Sequence, residues 1–375
     1  MSSFNTAGKD AGKITFFNPG PVWVRPDVLE AQVLPMMSHR SKAFVELYKP
    51  VLERLPALFR TKDGIAFTMT GSATSAMEGC LRSLFGNSSD NPGGKILYLT
   101  AGAFAERWHQ IAGMCGVATE QIDFGWGNAV DPQRVKEALA ATKFAAVAVV
   151  HNETSTGTIH PLAEVARLVR EIQPDCFVLA DCVTSLAGAP LLFDEWGLDV
   201  AFAGSQKAMA LPPGMAVVAV SKRAHERAKI TKNRGSYLDF VDLIEFAAAK
   251  GMTPATPAVT LLAALAKKLE QIEEETLVSR WERHARQRDL CRTRLEPAGF
   301  AFLPAKEACS PTVSCIKPPA GISGTDFTDR MKKKGFTPGA GYGKLKESTF
   351  RIGHMGDVDD ASLERFLEGC VEAVR

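Results

Sequence analysis

The chain has 375 residues, 46% hydrophobic residues and a formal net charge of +2 at pH 7. This length is sufficient for one large hydrophobic core and a smaller second domain. The balanced charge gives no electrostatic signature of a protein that binds nucleic acid or an anionic membrane surface. No apolar stretch is long enough to predict a transmembrane helix.

The cysteines and histidines do not show metal-binding spacings. Eight cysteines are scattered without a CxxC pair, which argues against a zinc site and against a disulfide framework. Seven histidines lack an HxxxH spacing, so we expect no metal. A reducing cytoplasm is the simplest location for such a chain. Residues 1–13 are polar and lack the apolar core of a signal peptide, which predicts a frayed tail.

Short apolar runs alternate with helical patterns from about residue 64 to residue 220. Each run has four to six residues, is rich in Val, Ile, Leu, Ala and Phe, and is bounded by turn formers. Such runs are typical of strands buried on both faces of a mostly parallel sheet. Helical patterns between them, such as 132–141 and 161–171, predict an α/β fold. The runs are 65–69, 96–99, 145–150, 177–180, 200–203 and 216–220.

From about residue 262 the chain changes character. A charged amphipathic stretch over 262–295 predicts a long helix on which a smaller α+β domain is hinged. The elements that follow are strands at 301–303 and 312–316, a helix at 324–334, a strand at 349–352 and a last helix at 360–374. We therefore expect a tail over 1–20, a large domain over 21–260 and a small domain over 261–375. The Pro-rich segment up to about residue 41 is expected at their junction.

Polar residues follow several predicted strands where each strand ends. Gly71-Ser72-Ala73-Thr74 follows the first strand, Asp181 follows 177–180, and Gly204-Ser205-Gln206-Lys207 follows 200–203. Ligands of open α/β sheets bind beyond the carboxyl ends of the strands. The sequence therefore predicts one site at this edge of the sheet.

Each of these groups has a chemical and a structural interpretation. Backbone amides at the start of the helix that opens near Ser72 would bind an anion such as a phosphate, although an ordinary N-cap is the alternative. Asp181 would be a buried carboxylate in need of a cationic partner, or a structural cap. Lys207 lies among small residues, where burial lowers the pKa of an amine and makes it a Schiff-base candidate. A surface lysine is the alternative.

Together these segments resemble the class V aminotransferases of fold-type I, which use pyridoxal 5′-phosphate (PLP). Within that class the sequence is most similar to the alanine/serine–glyoxylate and serine–pyruvate aminotransferases. The resemblance implies a large domain with a mostly parallel seven-stranded sheet flanked by helices, and a smaller C-terminal α+β domain. It extends over almost the whole chain, in the family's order, through Pro19-Gly20-Pro21, Gly71-Ser72-Ala73-Thr74, Glu153-Thr154-Ser155-Thr156-Gly157, Asp181, Gly204-Ser205-Gln206-Lys207, Thr253-Pro254-Ala255-Thr256-Pro257 and Arg351-Ile352-Gly353.

The resemblance also implies a role for each cofactor-binding residue. Lys207 would bind PLP as a Schiff base and move a proton during catalysis, and Asp181 would keep the pyridine nitrogen protonated. Phe104 would stack against the pyridine ring and Thr154 would reach its O3′ oxygen. The phosphate would be held by Ser72, Ala73, Thr74, Gln206 and, from the neighbouring subunit, Thr256.

Substrate binding and assembly follow from the same resemblance. Arg351 would bind the substrate α-carboxylate, because a planar guanidinium matches a carboxylate with two hydrogen bonds. Gly20 would line the substrate pocket with backbone atoms. The role of Thr256 implies a homodimer with active sites at the interface.

Four further residues have no assigned role. His39 and Arg40 are candidates for the mouth of the site or for the interface between subunits. His151 and His354 are expected near the edge of the site, where a structural role is favoured over a contact with the substrate.

The expected activity is transfer of an amino group from a small amino acid, such as serine, alanine or aspartate, to glyoxylate or pyruvate by a ping-pong mechanism. A PLP-dependent lyase or desulfurase on the same fold is the first alternative. It is disfavoured because Phe104 stands where desulfurases have a histidine, and because no cysteine lies in a Gly/Ser-rich loop. A cofactor-free interaction protein is the second alternative, disfavoured by the joint presence of Lys207, Asp181 and Arg351.

Overall fold

The computed structural model describes residues 14–86 and 94–375, so the predicted frayed tail over residues 1–13 lies outside the described residues. The strands are β1 (Phe16–Phe17), β2 (Ile65–Thr70), β3 (Ile96–Thr100), β4 (Thr119–Asp123), β5 (Ala146–Val150), β6 (Asn152–Glu153), β7 (Thr158–Ile159), β8 (Phe177–Asp181), β9 (Val200–Gly204), β10 (Met215–Val220), β11 (Ala301–Phe302), β12 (Val313–Lys317), β13 (Thr337–Ala340) and β14 (Phe350–Gly353).

The helices surround the strands and connect them. They are α1 (Pro26–Glu30), α2 (Lys42–Phe59), α3 (Ala73–Phe85), α4 (Ala103–Met114), α5 (Pro132–Ala141), α6 (Leu162–Ile172), α7 (Lys222–Ile230), α8 (Phe240–Lys250), α9 (Val259–Glu275), α10 (Leu277–Leu295), α11 (Gly324–Lys333) and α12 (Asp360–Glu372). None of the described helices is long and apolar enough to cross a membrane.

A seven-stranded mixed sheet forms the centre of the larger part of the chain. Its strand order is β2-β10-β9-β8-β5-β3-β4, and only β10 runs against its neighbours. The predicted α/β fold with a mostly parallel seven-stranded sheet is therefore confirmed. The edge strand β4 was not predicted, because most of its residues are polar and only partly buried or exposed, so it lacks the apolar run that marks the inner strands.

The inner strands are buried on both faces. Leu97 and Leu99 of β3 belong to one hydrophobic cluster, whereas Ile96 and Tyr98 belong to the cluster on the opposite face. Side chains of a strand alternate between its two faces, so a strand covered on both sides becomes a continuous apolar run. This is why the runs in the sequence located the sheet.

The charged stretch over 262–295 forms two helices, so the expectation of one long helix is wrong. Helix α9 ends at Glu275 and α10 begins at Leu277, with Thr276 between them at a φ of 66°. The Thr276 hydroxyl accepts a hydrogen bond from the Ser279 amide and caps α10. A positive φ at a β-branched residue is costly, so tertiary packing holds this break in place.

A five-stranded sheet with the order β1-β13-β14-β12-β11 lies in the C-terminal part. Strand β1 comes from the other end of the chain and pairs in parallel with β13, Phe16 opposite Thr337. Part of the segment that we expected to be a tail over 1–20 is therefore a strand of this sheet. Strand β13 was not predicted, because its Thr-Pro-Gly-Ala sequence has no strand pattern.

A buried ionic cluster joins α9, α10 and the loop before α12. Asp357 accepts hydrogen bonds from Lys268 Nζ at 2.5 Å and from Arg280 at 3.1 Å. The side chains of both cations are almost completely buried. A second hydrogen bond from Arg280, at 3.0 Å, goes to the carbonyl oxygen of Ala208, just beyond β9. The cluster thus connects three elements through a single carboxylate.

Replacement of Asp357 by Asn should strongly destabilise the protein, because it leaves the buried Lys268 without a counter-charge and leaves Arg280 with Glu275 as its one acidic partner among the described residues. We expect a loss of about 3–5 kcal/mol in the free energy of unfolding. Asp289→Asn is the matched control, since Asp289 pairs with Arg288 at the surface and should change stability by less than about 1 kcal/mol. Urea unfolding followed by circular dichroism measures both. Equal effects of the two substitutions would contradict a central role for the Asp357 cluster.

Candidate active site

Lys207 lies just beyond β9 and is buried at 8% relative exposure. Its Nζ donates a hydrogen bond to the Pro19 carbonyl oxygen at 2.6 Å. The neighbouring Gly20 has a φ of 132°, and a Cβ there would lie 2.5–2.6 Å from the end of the Lys207 side chain. Only glycine fits at this position, so the N-terminal segment is shaped around the amine.

The charge state of Lys207 is set mainly by its burial. Burial lowers its pKa to about 7, and the positive charge of Arg351 acts in the same direction, whereas Asp181 and Glu153 oppose it. An amine with such a pKa is substantially neutral at physiological pH. It can therefore act both as a nucleophile and as a proton carrier.

Asp181 is the last residue of β8 and is also buried. Its Oδ1 accepts a hydrogen bond from the Val183 amide at 2.8 Å, and no donor from the described residues reaches Oδ2. Burial raises the pKa of this carboxyl to about 7. A buried carboxylate with one free oxygen is costly unless a cationic or N–H partner faces it.

One cavity at the carboxyl ends of the strands collects most of the predicted site. It contains both Lys207 and Asp181, and the helix start predicted to bind an anion opens onto it. Eight of the nine residues predicted to bind the cofactor line it; they are Ser72, Ala73, Thr74, Phe104, Thr154, Asp181, Gln206 and Lys207.

Two features of this cavity suit an anionic ligand. Ser72 occupies the N-cap position of α3, but its side chain makes no capping hydrogen bond, so the alternative of an ordinary side-chain cap by Ser72 is wrong. The first amides of α3 are left for a ligand, and the helix dipole favours an anion there. Gln206 also lines the cavity, and the NH₂ group of its side-chain amide is a donor for an anion.

Phe104 forms one wall of the cavity from the start of α4. Its ring centroid lies 5.9 Å from Lys207 Nζ. The Tyr342 ring is 5.4 Å away from the Phe104 ring, and the Tyr342 hydroxyl accepts a hydrogen bond from Arg107 at 2.7 Å. An aromatic wall beside the amine therefore combines residues from both parts of the chain.

Arg351 extends from β14 toward the same region. Its Nε donates to the Ala340 carbonyl at 2.9 Å, and its Nη1 donates to the Thr154 carbonyl at 3.1 Å. The guanidinium lies 5.4 Å from the Tyr342 ring centroid. No carboxylate within residues 14–86 or 94–375 forms an ion pair with Arg351, so its positive charge remains available for an anion.

Thr256 is the one predicted cofactor residue that a single chain does not bring to the cavity. It lines a separate cleft together with Thr253, Pro254 and Tyr237. Arg40 holds this segment, because its guanidinium donates to the carbonyl oxygens of Thr253 at 2.5 Å and Pro254 at 2.7 Å.

His151 and His354 do not line the cavity. His151 is hydrogen-bonded through Nδ1 to the Ser185 hydroxyl, and His354 through Nε2 to the Ser314 hydroxyl. Burial lowers the pKa of each to about 3, so both are neutral. Their hydrogen bonds and neutral state favour the structural role.

Comparison with known proteins decides the family. The model of the family "Aminotransferase class-V" matches residues 28–337. The chain belongs to this family. As a class V aminotransferase it is an enzyme, and the predicted resemblance is confirmed.

Individual relatives of this class V aminotransferase span nearly its whole length. It is 35% identical over 366 residues to an uncharacterized aminotransferase of Methanocaldococcus jannaschii, covering 97% of the chain and 93% of the relative. It is 31% identical over 363 residues to serine–glyoxylate aminotransferase of Arabidopsis thaliana, covering 96% and 89%. The crystal structure of a subgroup IV aspartate aminotransferase of Thermus thermophilus matches with a TM-score of 0.88 and 32% identity, covering 96% and 99%.

Several residues around the cavity of this aminotransferase were not predicted from the sequence. Asn152, Thr184 and Arg107 line it. The Thr184 hydroxyl is hydrogen-bonded to the Thr154 hydroxyl, and Asn152 Nδ2 donates to Thr312 at 2.6 Å. Asn152 lies two residues beyond the end of β5, so the rule that located Asp181 also applied to it.

Asp181→Asn should change how the stability of the ligand-free protein depends on pH. The folded protein binds the Asp181 proton up to about pH 7, whereas the unfolded chain releases it near pH 3.8. Wild-type stability therefore falls between these values, by up to about 4 kcal/mol, and the variant lacks this loss. Thermal unfolding at pH 5 and pH 8 should show a stabilisation by Asn that is larger at pH 8. The same difference at both pH values would argue against a costly buried carboxylate.

Proposed function

We propose that this class V aminotransferase uses PLP to move an amino group from a small amino acid, such as serine, alanine or aspartate, to glyoxylate or pyruvate. The observation that carries the proposal is the buried pair of Lys207 and Asp181 in one cavity with the uncapped start of α3. Relatives named as serine–glyoxylate and aspartate aminotransferases support the choice of substrates.

The donor set of the cavity fits PLP. A cationic pyridine nitrogen would satisfy the free oxygen of Asp181, and a phosphate would satisfy the amides of Ser72, Ala73 and Thr74 together with Gln206. When bound, the coenzyme supplies an aldehyde for amino groups and a ring that withdraws electrons from the substrate Cα.

Each protein group then has a defined task. Asp181, once paired with a cation, is ionised and keeps the ring nitrogen protonated. Phe104 holds the plane of the ring from one side. The Thr154 hydroxyl, which is hydrogen-bonded to the Thr184 hydroxyl, would bind the ring oxygen. Together they orient the coenzyme and tune its charge.

Lys207 is the proposed proton carrier. Because its pKa lies near neutrality, the free amine can accept a proton from the substrate Cα and return it elsewhere without a large energetic penalty. The Pro19 carbonyl accepts a hydrogen bond from this amine and limits its movement. Gly20 leaves the space that the lysine side chain needs.

Arg351 is the proposed site for the substrate α-carboxylate. Two backbone carbonyls, of Ala340 and Thr154, fix the guanidinium before a substrate arrives. A preorganised arginine loses little conformational entropy when it binds a carboxylate. Gly20 would line the same pocket with backbone atoms.

A lyase or desulfurase is less consistent with this site. Desulfurases need an accessible cysteine, but all eight cysteines of this chain are buried and none of them lines the cavity. The free thiols agree with the expectation of a cytoplasmic location, which stays a prediction. A cofactor-free interaction protein would not require two costly buried charges in one cavity.

We expect that purified protein incubated with PLP acquires a visible absorption band that Lys207→Ala lacks, because only a buried amine in contact with the cofactor forms the bond. Borohydride reduction followed by peptide mass spectrometry should locate the adduct at Lys207. Lys222→Ala, at an exposed lysine, is the control and should retain the band.

Addition of serine, alanine or aspartate should convert this band, and glyoxylate or pyruvate should restore it. A protein that binds PLP at Lys207 but reacts with none of these amino acids would contradict the proposed substrates. A protein that acquires no band would contradict the proposed cofactor.

We propose a homodimer in which Thr256 serves the partner's cavity. In one chain Thr256 lies in a separate cleft, which Arg40 holds through backbone carbonyls. Exposed apolar side chains near the N-terminus, Leu29, Val33 and Met36, would be covered by a second copy.

Mixed dimers provide a test of this assignment. Thr256→Ala should raise the dissociation constant of PLP about tenfold through loss of a phosphate contact. Mixing it with Lys207→Ala should restore sites of wild-type affinity, because the Thr256→Ala subunit keeps its lysine and receives Thr256 from its partner. If Thr256 served its own subunit, no mixed dimer would hold an intact site, and mixing would restore nothing.

A further inference from the structure

Helix α4 begins without a capping side chain of its own. Gly102 occupies the N-cap position and has no side chain, so the first amides of the helix depend on hydrogen-bond acceptors elsewhere in the chain. The Ala103 amide donates to the Ser155 hydroxyl at 3.0 Å. The Phe104 and Ala105 amides donate to Glu153 Oε2 at 3.1 and 3.2 Å. A segment about fifty residues away therefore caps this helix.

Glu153 is saturated with donors. Its second oxygen, Oε1, accepts hydrogen bonds from the amide of Ser155 at 3.0 Å and from its hydroxyl at 2.6 Å. The residue is completely buried. Three of its four hydrogen-bonding partners are backbone amides, which can only donate, so a proton on Oε2, or an amide nitrogen in place of either oxygen, would face another hydrogen. Burial raises the pKa of the Glu153 carboxyl, whereas its hydrogen bonds with Ser155, Ala105 and Phe104 act in the opposite direction. These donors and the positive end of the helix dipole favour the anion.

Gly102 makes this approach possible. A Cβ at this position would lie 2.4 Å from Glu153 Cγ and 2.7 Å from the Ser155 hydroxyl. Its φ of 174° is ordinary extended backbone, so the requirement for glycine is one of space. Any side chain here would push the carboxylate away from the helix.

The capped helix start and the capping segment both carry residues of the proposed site. Phe104 is the second residue of α4, and its ring lines the cavity. Thr154 lies between the two capping residues, lines the cavity from another side, and accepts a hydrogen bond from Arg351 at its carbonyl. The position of Glu153 therefore determines how these three groups are placed relative to each other.

We propose that Glu153 is a positioning residue of this active site, which holds Phe104 against the proposed coenzyme and contributes a fixed negative charge opposite Lys207 and Arg351. The inference rests on the proposed PLP function. Asn152 and Thr154 line the cavity themselves, whereas Glu153 acts on the cavity through the start of α4.

The charge of Glu153 has a consequence for Lys207. Burial and then Arg351 lower the pKa of the Lys207 amine, while Asp181 and Glu153 act in the opposite direction. Loss of the Glu153 charge should therefore make the nitrogen of Lys207 easier to deprotonate. Loss of the Glu153 charge should likewise lower the pKa of the nitrogen that links Lys207 to PLP. The absorption band of the PLP–lysine adduct reports the protonation of this nitrogen.

Glu153→Gln is the central variant, because it keeps the shape and removes the charge. It places an NH₂ group against backbone donors, which should displace Phe104. We expect the dissociation constant of PLP to rise about tenfold or more. We also expect the pH midpoint of the PLP–lysine band to fall by about half a unit or more.

Gly102→Ala distinguishes the effect of moving the Glu153 carboxylate from the effect of removing its charge. It displaces the carboxylate without neutralising it, so PLP affinity should fall while the pH midpoint moves less than in Glu153→Gln. This variant also keeps the proposal testable if Glu153→Gln does not fold.

Asp199→Asn is the matched control for a purely structural effect. Asp199 is also a buried carboxylate with several donors, among them the Val178 amide at 2.8 Å and the Ser221 hydroxyl at 2.8 Å, and it does not line the cavity. Its replacement should lower the thermal stability but leave the affinity for PLP and the pH midpoint within about twofold and about 0.2 unit of wild type.

The outcomes separate the two proposals. If wild-type protein forms no PLP–lysine band, the proposed function fails, and with it the basis of this inference. If wild type forms the band and Glu153→Gln binds PLP with unchanged affinity and pH midpoint, the positioning role of Glu153 is wrong. Loss of stability in Glu153→Gln and Asp199→Asn alike, with both cofactor measurements unchanged, would also overturn it.

Discussion

The burial of an amine and a carboxylate in one cavity is the constraint on which the rest of the structure depends. Lys207 and Asp181 are both nearly inaccessible, and burial moves the pKa of each to about 7. Unpaired charges in such a place destabilise the ligand-free protein. The fold tolerates this cost because the surrounding sheet is large and apolar on both faces, and because a ligand with complementary charges would offset it.

Residues distant in the chain enclose the amine. The Pro19 carbonyl and Gly20 come from the N-terminal segment, which lies against the second sheet. Glycines at 339 and 353 allow that contact, since a Cβ at either would lie less than 3 Å from Asn18 or Pro19. The N-terminal strand is thus held by the C-terminal sheet, while the loop that follows this strand contacts Lys207 beside the seven-stranded sheet. The groups that we propose to bind cofactor and substrate are thereby joined by contacts between the two sheets.

The accuracy of the predicted strands and helices depended on whether each element has an apolar pattern in the sequence. The five inner strands and the edge strand β2 were located because each forms a continuous apolar run, which burial on both faces produces in the inner strands. The strands β4 and β13 were missed because the mostly polar β4 and the Pro-Gly strand β13 have no such run. The break at Thr276 was missed because its amphipathic pattern continues through it, and only the packing of two helices against different elements reveals it.

The sequence by itself determined the fold class, the family and the residues that follow each strand, because these features depend on local pattern and on the common edge where parallel strands end. Tertiary structure alone decided which residues meet across long stretches of chain. The capping of α4 by Glu153, the contact between Pro19 and Lys207, and the separation of Thr256 from the cavity are of this kind. The two contacts join segments about 50 and about 190 residues apart in the chain. Local propensities do not determine which distant segments meet.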